Sequence, residues 1–296
     1  MSILVDESTR VLVQGITGRE ASEKLPAMLE YGTDIRAGVT PGKGGKEVHG
    51  IPVYDTVATA LDEHPEINTS LVYTPPFVAK GACFEAMAHG VELINLITER
   101  VPTRDAYEIY RRANETGTRV VGPTSVGIIT PGECKLGPIG GDRAAEIYNR
   151  GRVGIISKSG GMTNETAWVV NQAGYGISTA AGLGGDVIAG TTFADALGLF
   201  EDDPQTEVVI MFGELGGTYE EQAADLLMTD GFTKPLIAFV AGQFSEDLPQ
   251  AKFGHAGAII RGDRGRPSHK IKRLKEAGAH VVDVHHEIGT ALEEYL

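Results

Sequence analysis

Short apolar, β-branched runs alternate with longer stretches of helical spacing along nearly the whole chain. In the N-terminal half, "RVLVQG" (10–15), "DIRAGV" (34–39), "SLVYT" (70–74), "VELINLIT" (91–98) and "RVVGP" (119–123) predict strands. Residues 79–89 and 104–116 have the length and periodicity of helices. The pattern pauses in a glycine- and proline-rich bridge over 122–150 and then restarts. "RVGIIS" (152–157), "GISTAAGLG" (176–184), "VVIMFGEL" (208–215), "PLIAFVAG" (235–242) and "HVVDV" (280–284) predict its strands. Helical segments near 163–173, 191–201, 219–229, 267–277 and 285–295 separate them. This alternation builds βαβ units, hence an α/β fold with two doubly wound domains and a boundary near 124–150.

A formal charge of −14 and a pI near 5.0 argue against a nucleic-acid binder, which needs a basic face for phosphates. Any anionic ligand must therefore be held locally. The first residues reach Asp6 before a long apolar core develops, and no run approaches the roughly 20 apolar residues of a membrane span. A soluble protein of the cytoplasm is the expectation. Cys83 and Cys134 lie far apart, which predicts free thiols in a reducing compartment and no structural zinc. Glycine is abundant, 39 of 296 residues, and it gathers in loops where backbone can approach a ligand.

In doubly wound sheets ligands bind beyond the carboxyl ends of the strands, so the loops there are where chemistry is sought. After the first strand, "QGITGREA" places Gly15 and Gly18 where amides and a helix start can meet a phosphate. The spacing is not G-x-G-x-x-G, and a plain tight turn is the alternative. After the second strand, where a dinucleotide site would place an acid for a ribose diol, the chain reads "GVTPGKGG" (38–45). Lys43 in that loop suits a phosphorylated ribose, which favours coenzyme A over NAD, unless it is simply solvated. "YTPPF" (73–77) and "ITERVPT" (97–103) extend the possible cradle.

In the second half, "SKSGGMTNETAW" (157–168) runs through small residues into a helix and forms an anion seat. Glu214 in "FGELGG" stands at a strand end, where a carboxylate can bind one nitrogen of a histidine and leave the other free to react. "KFGHAGAII" (252–260) supplies that histidine, His255, in a collar of small residues with room for a phosphoryl group. On its residues alone, His255 is readable as a reacting group or as a structural one. His285 and His286 are read as a solvated helix start, and the basic run 261–273 as a solvated loop and helix start.

"VQGITGRE", "YGT", "GVTPGKGG", "PVYDTV", "GIITPGECKLG", "GLGGD", "DPQTE", "GELGG" and "GHAGAII" are many, dispersed and in order. Together they closely resemble the α subunits of succinyl-CoA synthetase, the ADP- or GDP-forming succinate–CoA ligases. The resemblance implies a Rossmann-like CoA-binding domain over 1–123, a connecting segment over 124–150 and a flavodoxin-like ligase domain over 151–296. It implies a separate ATP-grasp β subunit, in αβ or α2β2 assemblies, that binds Mg-ATP or Mg-GTP. Carried over, it makes His255 the phosphorylated residue and Glu214 its orienting carboxylate. CoA would be bound by Thr17, Gly18, Arg19, Lys43, Pro75, Ile97, Thr98 and Glu99. Phosphate and acid would be met by Ser159, Gly160, Gly161, Asn164, Thr124 and Ser125.

Departures fall in the acid-binding wall. Where the family commonly reads "GPNCPG" and "SRSGTLTYE", this chain reads "GPTSVG" (122–127) and "SKSGGMTNE". A histidine expected in the first helix is replaced near Glu23 to Leu25, and Ala21 stands where glycine is usual. Exchange of a tyrosine for Asn164 and of a threonine for Gly161 would open space. Succinate is the first expected acid, with malate, another dicarboxylate or a sulfonated acid as alternatives. A regulatory CoA-binding protein is the alternative of a different class.

Overall fold

The computed structural model describes residues 2–247, 255–260 and 264–296. The N-terminal half runs β1 (Val11–Gln14), α1 (Arg19–Tyr31), β2 (Ile35–Val39), β3 (Glu47–Val48), β4 (Ile51–Tyr54), α2 (Val57–Glu63), β5 (Thr69–Val72), α3 (Ala79–Ala88), β6 (Leu93–Leu96), α4 (Thr103–Thr116) and β7 (Arg119–Val121). Among the described residues these strands form one sheet in the order β3-β4-β2-β1-β5-β6-β7. β1 lies parallel between β2 and β5, and only β3 runs antiparallel, at the edge. β1, β5 and β6 are buried at every position, as parallel strands covered on both faces must be.

The bridge of the sequence reading contributes β8 (Gly127–Thr130), β9 (Cys134–Leu136) and α5 (Ala144–Ile147). Then follow β10 (Arg150–Ser157), α6 (Gly160–Gln172), β11 (Ile177–Gly182), α7 (Phe193–Glu201), β12 (Val208–Gly213), α8 (Tyr219–Met228), β13 (Leu236–Val240), α9 (Pro267–Glu276), β14 (His280–Val281) and α10 (Ile288–Leu292). Their sheet has the order β14-β13-β12-β10-β11-β8-β9, with β8 antiparallel to β11 and β9 antiparallel to β8. Residues 127–136 are thus a hairpin that widens the second sheet.

Local chemistry explains the element ends. Thr192 and Asp195 form a capping box that starts α7. That helix then buries Phe193 and Phe200 against the sheet, each worth about 1.5–3 kcal/mol on burial. A Cβ on Gly154 in β10 would lie 2.6 Å from the Phe200 ring, so glycine there makes room for the aromatic side chain. The halves are joined by buried hydrogen bonds, Thr33 Oγ1 to the Lys135 carbonyl at 2.7 Å and Asn95 Nδ2 to Ser125 Oγ at 2.9 Å. Cys83 and Cys134 are buried free thiols whose pKa burial pushes up to about 12, which makes them poor nucleophiles. No helix among the described residues is long and apolar enough to cross a membrane.

Candidate active site

β1 has β2 on one side and β5 on the other, so the chain order reverses across it, and this switch point opens a crevice at the carboxyl edge. A cavity of about 650 Å³ lies there. Thr17, Gly18, Arg19, Pro75, Thr98 and Glu99 line it, together with Gly15, Thr40, Tyr73, Thr74, Pro76 and Arg100. Gly15 has a φ of +84°, and a Cβ on it would lie 3.1 Å from the Thr74 amide, so only glycine suits that turn. The Tyr73 hydroxyl and Thr74 Oγ1 are buried in the wall without a hydrogen-bond partner among the described residues. An unpaired buried polar group costs about 1–3 kcal/mol, and because both atoms lie beneath the surface a ligand pairs with them only through a shift of the wall. Lys43 is exposed on the turn after β2 and does not line the cavity. Ile97 is buried, and its side chain packs toward Gly137 rather than the cavity.

The second sheet repeats the geometry around β10, which lies between β11 and β12. Glu214 follows the end of β12, and its two carboxylate oxygens each lie 2.8 Å from Nδ1 of His255. A carboxylate only accepts, so Nδ1 carries the proton and Nε2 presents the lone pair. The His255 side chain keeps about a third of its exposure, whereas Glu214 is mostly buried. The bond to Glu214 raises the His255 pKa above the ordinary value of 6.5, against the opposing effect of burial. The 185–186 turn packs against the ring. A Cβ on Gly185 would collide with the imidazole, and the Gly257 amide donates to the Gly185 carbonyl at 2.9 Å. Lys252, Phe253 and Gly254, which complete the histidine motif, lie outside the described residues.

Asp186 accepts a hydrogen bond from the Thr124 hydroxyl, and burial raises its pKa. Thr124 sits at φ +60°, a left-handed conformation that is strained for a β-branched residue. Its amide donates to the Thr98 carbonyl at 3.1 Å, so one turn joins the rim of the first cavity to the His255 loop. Ser125 is fully engaged. Its hydroxyl donates to the Gly182 carbonyl at 2.6 Å and accepts from Asn95 and the Gly127 amide, which leaves no capacity for a ligand.

At the start of α6, Ser159 is the N-cap and accepts from the Met162 amide at 3.4 Å. Gly160 packs on Val126, where a Cβ would lie 2.8 Å from the valine Cβ, while nothing lies within 4 Å of a Cβ on Gly161. First-turn amides have no intrahelical acceptors, and with the Met162 amide taken by Ser159 those of Gly160 and Gly161 are the ones that could meet an anion. The Asn164 oxygen accepts from the Gly140 amide at 2.9 Å and from the Tyr148 hydroxyl at 2.7 Å, which leaves its NH2 group as the end open to a ligand.

Sequence reasoning passed over Asp186, although it stands in the quoted "GLGGD", while Tyr73, Thr74 and Arg100, which it held only as parts of the loops 73–77 and 97–103, line the first cavity. Two bland readings are corrected. His285 is half-buried between the rings of Phe212 and Phe239 and bonds to Thr166 at 2.9 Å, rather than being solvated. In the basic run, Lys270 is completely buried. Among the described residues no cluster of His, Cys, Asp and Glu is arranged to hold a metal ion.

Two crevices at two switch points, one roomy and one built on a carboxylate–histidine pair, define an α/β protein with a candidate site on each of its two sheets. Two family models match it in that order, the CoA binding domain over residues 6–100 and CoA-ligase over 156–282. The chain is 43% identical over 99% of its length to an ADP-forming sulfoacetate–CoA ligase subunit of an Acholeplasma species, covering 98% of that protein. It is also 43% identical, over its full length and 95% of the relative, to the α subunit of ADP-forming succinate–CoA ligase from Aquifex aeolicus. ATP citrate lyase from Methanothrix soehngenii, solved with citrate and coenzyme A, superposes with a TM-score of 0.92 at 27% identity. That match covers 99% of this chain and half of the lyase chain. The protein belongs to the family that unites the α subunits of succinate–CoA ligase with the matching sulfoacetate–CoA ligase subunits.

Proposed function

We propose that this chain is the α subunit of an ADP-forming acid–CoA ligase of the cytoplasm, working with a separate nucleotide-binding β subunit. The reaction passes through a phosphohistidine at His255. The observation that carries this reading is the Glu214 carboxylate on Nδ1, which makes Nε2 the lone-pair nitrogen of the neutral ring, in a side chain that keeps about a third of its exposure. We divide the chain near residues 123 and 150, with CoA in the first cavity and the phosphoryl group handled by the second domain.

In the first step the Nε2 lone pair attacks the γ-phosphorus of ATP brought by the partner, the bond to the bridging oxygen breaks, and ADP leaves. Nδ1 keeps its proton, so the phosphorylated ring is cationic and Glu214 balances it. The Gly160 and Gly161 amides at the start of α6 hold the phosphoryl oxygens. A carboxylate oxygen of the acid then attacks phosphorus, the P–Nε2 bond breaks and its electron pair returns to the ring, giving an acyl phosphate. Last, the CoA sulfur, having lost its proton, attacks the acyl carbon and phosphate departs. The contact between Thr124 and Thr98 brings the rim of the CoA cavity to the phosphoryl site for this step.

The relatives act on succinate or sulfoacetate, each a carboxylate with a second anionic group on a short chain. We infer an acid of that class here, with succinate as the first candidate and sulfoacetate as the second. The open space at Gly161 and the NH2 end of Asn164 suit the bulkier sulfonate, which gives the second candidate its support. ADP formation by the chain co-expressed with its β subunit, across a panel of acids with CoA and Mg-ATP, tests the reading. CoA-dependent turnover on one acid, abolished by His255→Ala, supports it. CoA binding without turnover on any acid puts the regulatory reading in its place.

A further inference from the structure

Beneath the His255 site lies an ionic cluster that the proposed chemistry does not itself use. Glu220, at the start of α8, has no exposed surface; Lys270, on α9, has none either, and Lys158, just after β10, is 5% exposed. Both ammonium groups bond the one carboxylate, Lys158 at 2.8 Å and Lys270 at closer range. Two buried lysines share one buried carboxylate, with Glu221 acting on Lys270 from beside it, an expensive arrangement that apolar residues would replace at lower cost. Its hydrogen bonds indicate what it holds.

Glu220 Oε1 accepts from the amide of Glu214 at 3.0 Å. Lys270 Nζ donates to the Glu214 carbonyl at 2.8 Å and to the Gly216 carbonyl, and Lys158 Nζ reaches the Gly216 carbonyl at 3.3 Å. Both backbone groups of Glu214 are therefore held by the cluster. Gly213 makes this possible, because a Cβ there would lie 2.8 Å from Glu220 Cγ. Lys158 also stands 5.4 Å from the centre of the Tyr219 ring. The Tyr219 hydroxyl in turn holds the other wall of the site, donating to the Val187 carbonyl at 3.2 Å and accepting from the Ala189 amide at 2.9 Å.

We propose that Lys158, Glu220 and Lys270 are positioning residues for the reaction at His255, fixing the Glu214 turn and supplying a buried positive charge that favours the anionic phosphoryl group on the ring. The proposal rests on the phosphohistidine reading above. Among the described residues the charged groups acting on the ring are Glu214 and Asp186, which favour its protonated form, and Lys158, which opposes it. Glu99 acts on Asp186, and Arg264 lines the adjoining cleft with Gly257 and Ile259.

The test follows the His255 ring by ¹⁵N NMR in the whole complex, together with phosphoenzyme lifetime and turnover, in folded Glu220→Gln, Lys158→Met and Lys158→Arg proteins. Loss of a cation and loss of the anion should move the ring in opposite directions. Lys158→Met raises the midpoint of its titration, Glu220→Gln lowers it, and Lys158→Arg restores wild-type behaviour. Lys158→Met also shortens the phosphoenzyme lifetime and lowers turnover tenfold or more, with the KM for CoA within twofold. A mere packing role predicts shifts in one direction or none; ring titrations unchanged in Lys158→Met and Glu220→Gln overturn the proposal. If Glu220→Gln does not fold, the Lys158 pair decides, since it leaves Lys270 on Glu220. If the wild-type protein takes no phosphate at His255, the function reading falls, and the ring titration still judges the positioning claim separately.

Discussion

The two carboxyl-edge crevices of this protein have the same topology and opposite construction. In the first domain the cavity is wide, hydroxyls and charged side chains of both signs line it, and two buried polar atoms, on Tyr73 and Thr74, have no partner among the described residues. In the second the His255 imidazole is fastened by Glu214, walled by Gly185 and underlain by buried charge. A centre that holds a large, flexible molecule gains from groups satisfied only on binding. A centre that makes and breaks P–N bonds gains from groups already in place, because reorganisation during the reaction would raise the barrier.

The sharpest separation should come from His255→Ala. Loss of the nucleophile should take ADP-forming turnover below about 10⁻³ of wild type while CoA affinity, by calorimetry, stays within about twofold. Weakened CoA binding in that variant would mean the two centres are not separate. Next, Glu214→Gln removes the acceptor charge, and turnover should fall about 10²-fold. The pH profile carries a second signature. Because Glu214 raises the His255 pKa, the ring must lose its proton above 6.5 before Nε2 can attack, so phosphorylation falls as pH drops through that raised value. In Glu214→Gln this acidic limb should move down. The same pairing contributes stability that is complete below about 6.5 and is lost as pH rises through the folded-state value.

Gly185→Ala should come third. The added methyl collides with the ring, costing about 1–3 kcal/mol in stability or displacing the imidazole, with a lower melting temperature and lower turnover. In the first crevice, Tyr73→Phe should act in two directions. Removing an unpaired buried hydroxyl raises the stability of the free protein, and loss of a ligand contact raises the KM for CoA about five- to tenfold with kcat unchanged. Lys43→Ala, outside the cavity wall, should change the KM for CoA less than about twofold, since an exposed charge adds little. A larger loss would place the adenosine end of CoA along that turn.

Periodicity was enough to locate β10 to β13 and the helices after them, because parallel strands buried on both faces read as continuous apolar runs. It did not find β8 and β9, since "TPGE" and the flanking glycines look like linker when the strand that accepts them, β11, lies some 50 residues later. The pairing of Glu214 with His255 was legible because a carboxylate at a strand end and a histidine in a glycine collar fall on the same edge of one sheet, although the histidine's residues alone left a structural role open. Lys158, Glu220 and Lys270 were not legible, because charged residues in a helix or loop look solvated until the fold brings three of them together out of water. Ser125 failed in the opposite sense: a small hydroxyl beside the site looked available, and the fold spends all of its bonding capacity.

The central claim is tested most directly by finding which atom carries the phosphoryl group when the complex meets Mg-ATP without CoA or acid. Phosphopeptide mapping with ³¹P and ¹⁵N NMR distinguishes the two ring nitrogens. The account predicts one phosphoryl group per chain on Nε2 of His255, with Nδ1 still protonated against Glu214. Phosphate on Nδ1, or on any other residue, would contradict it.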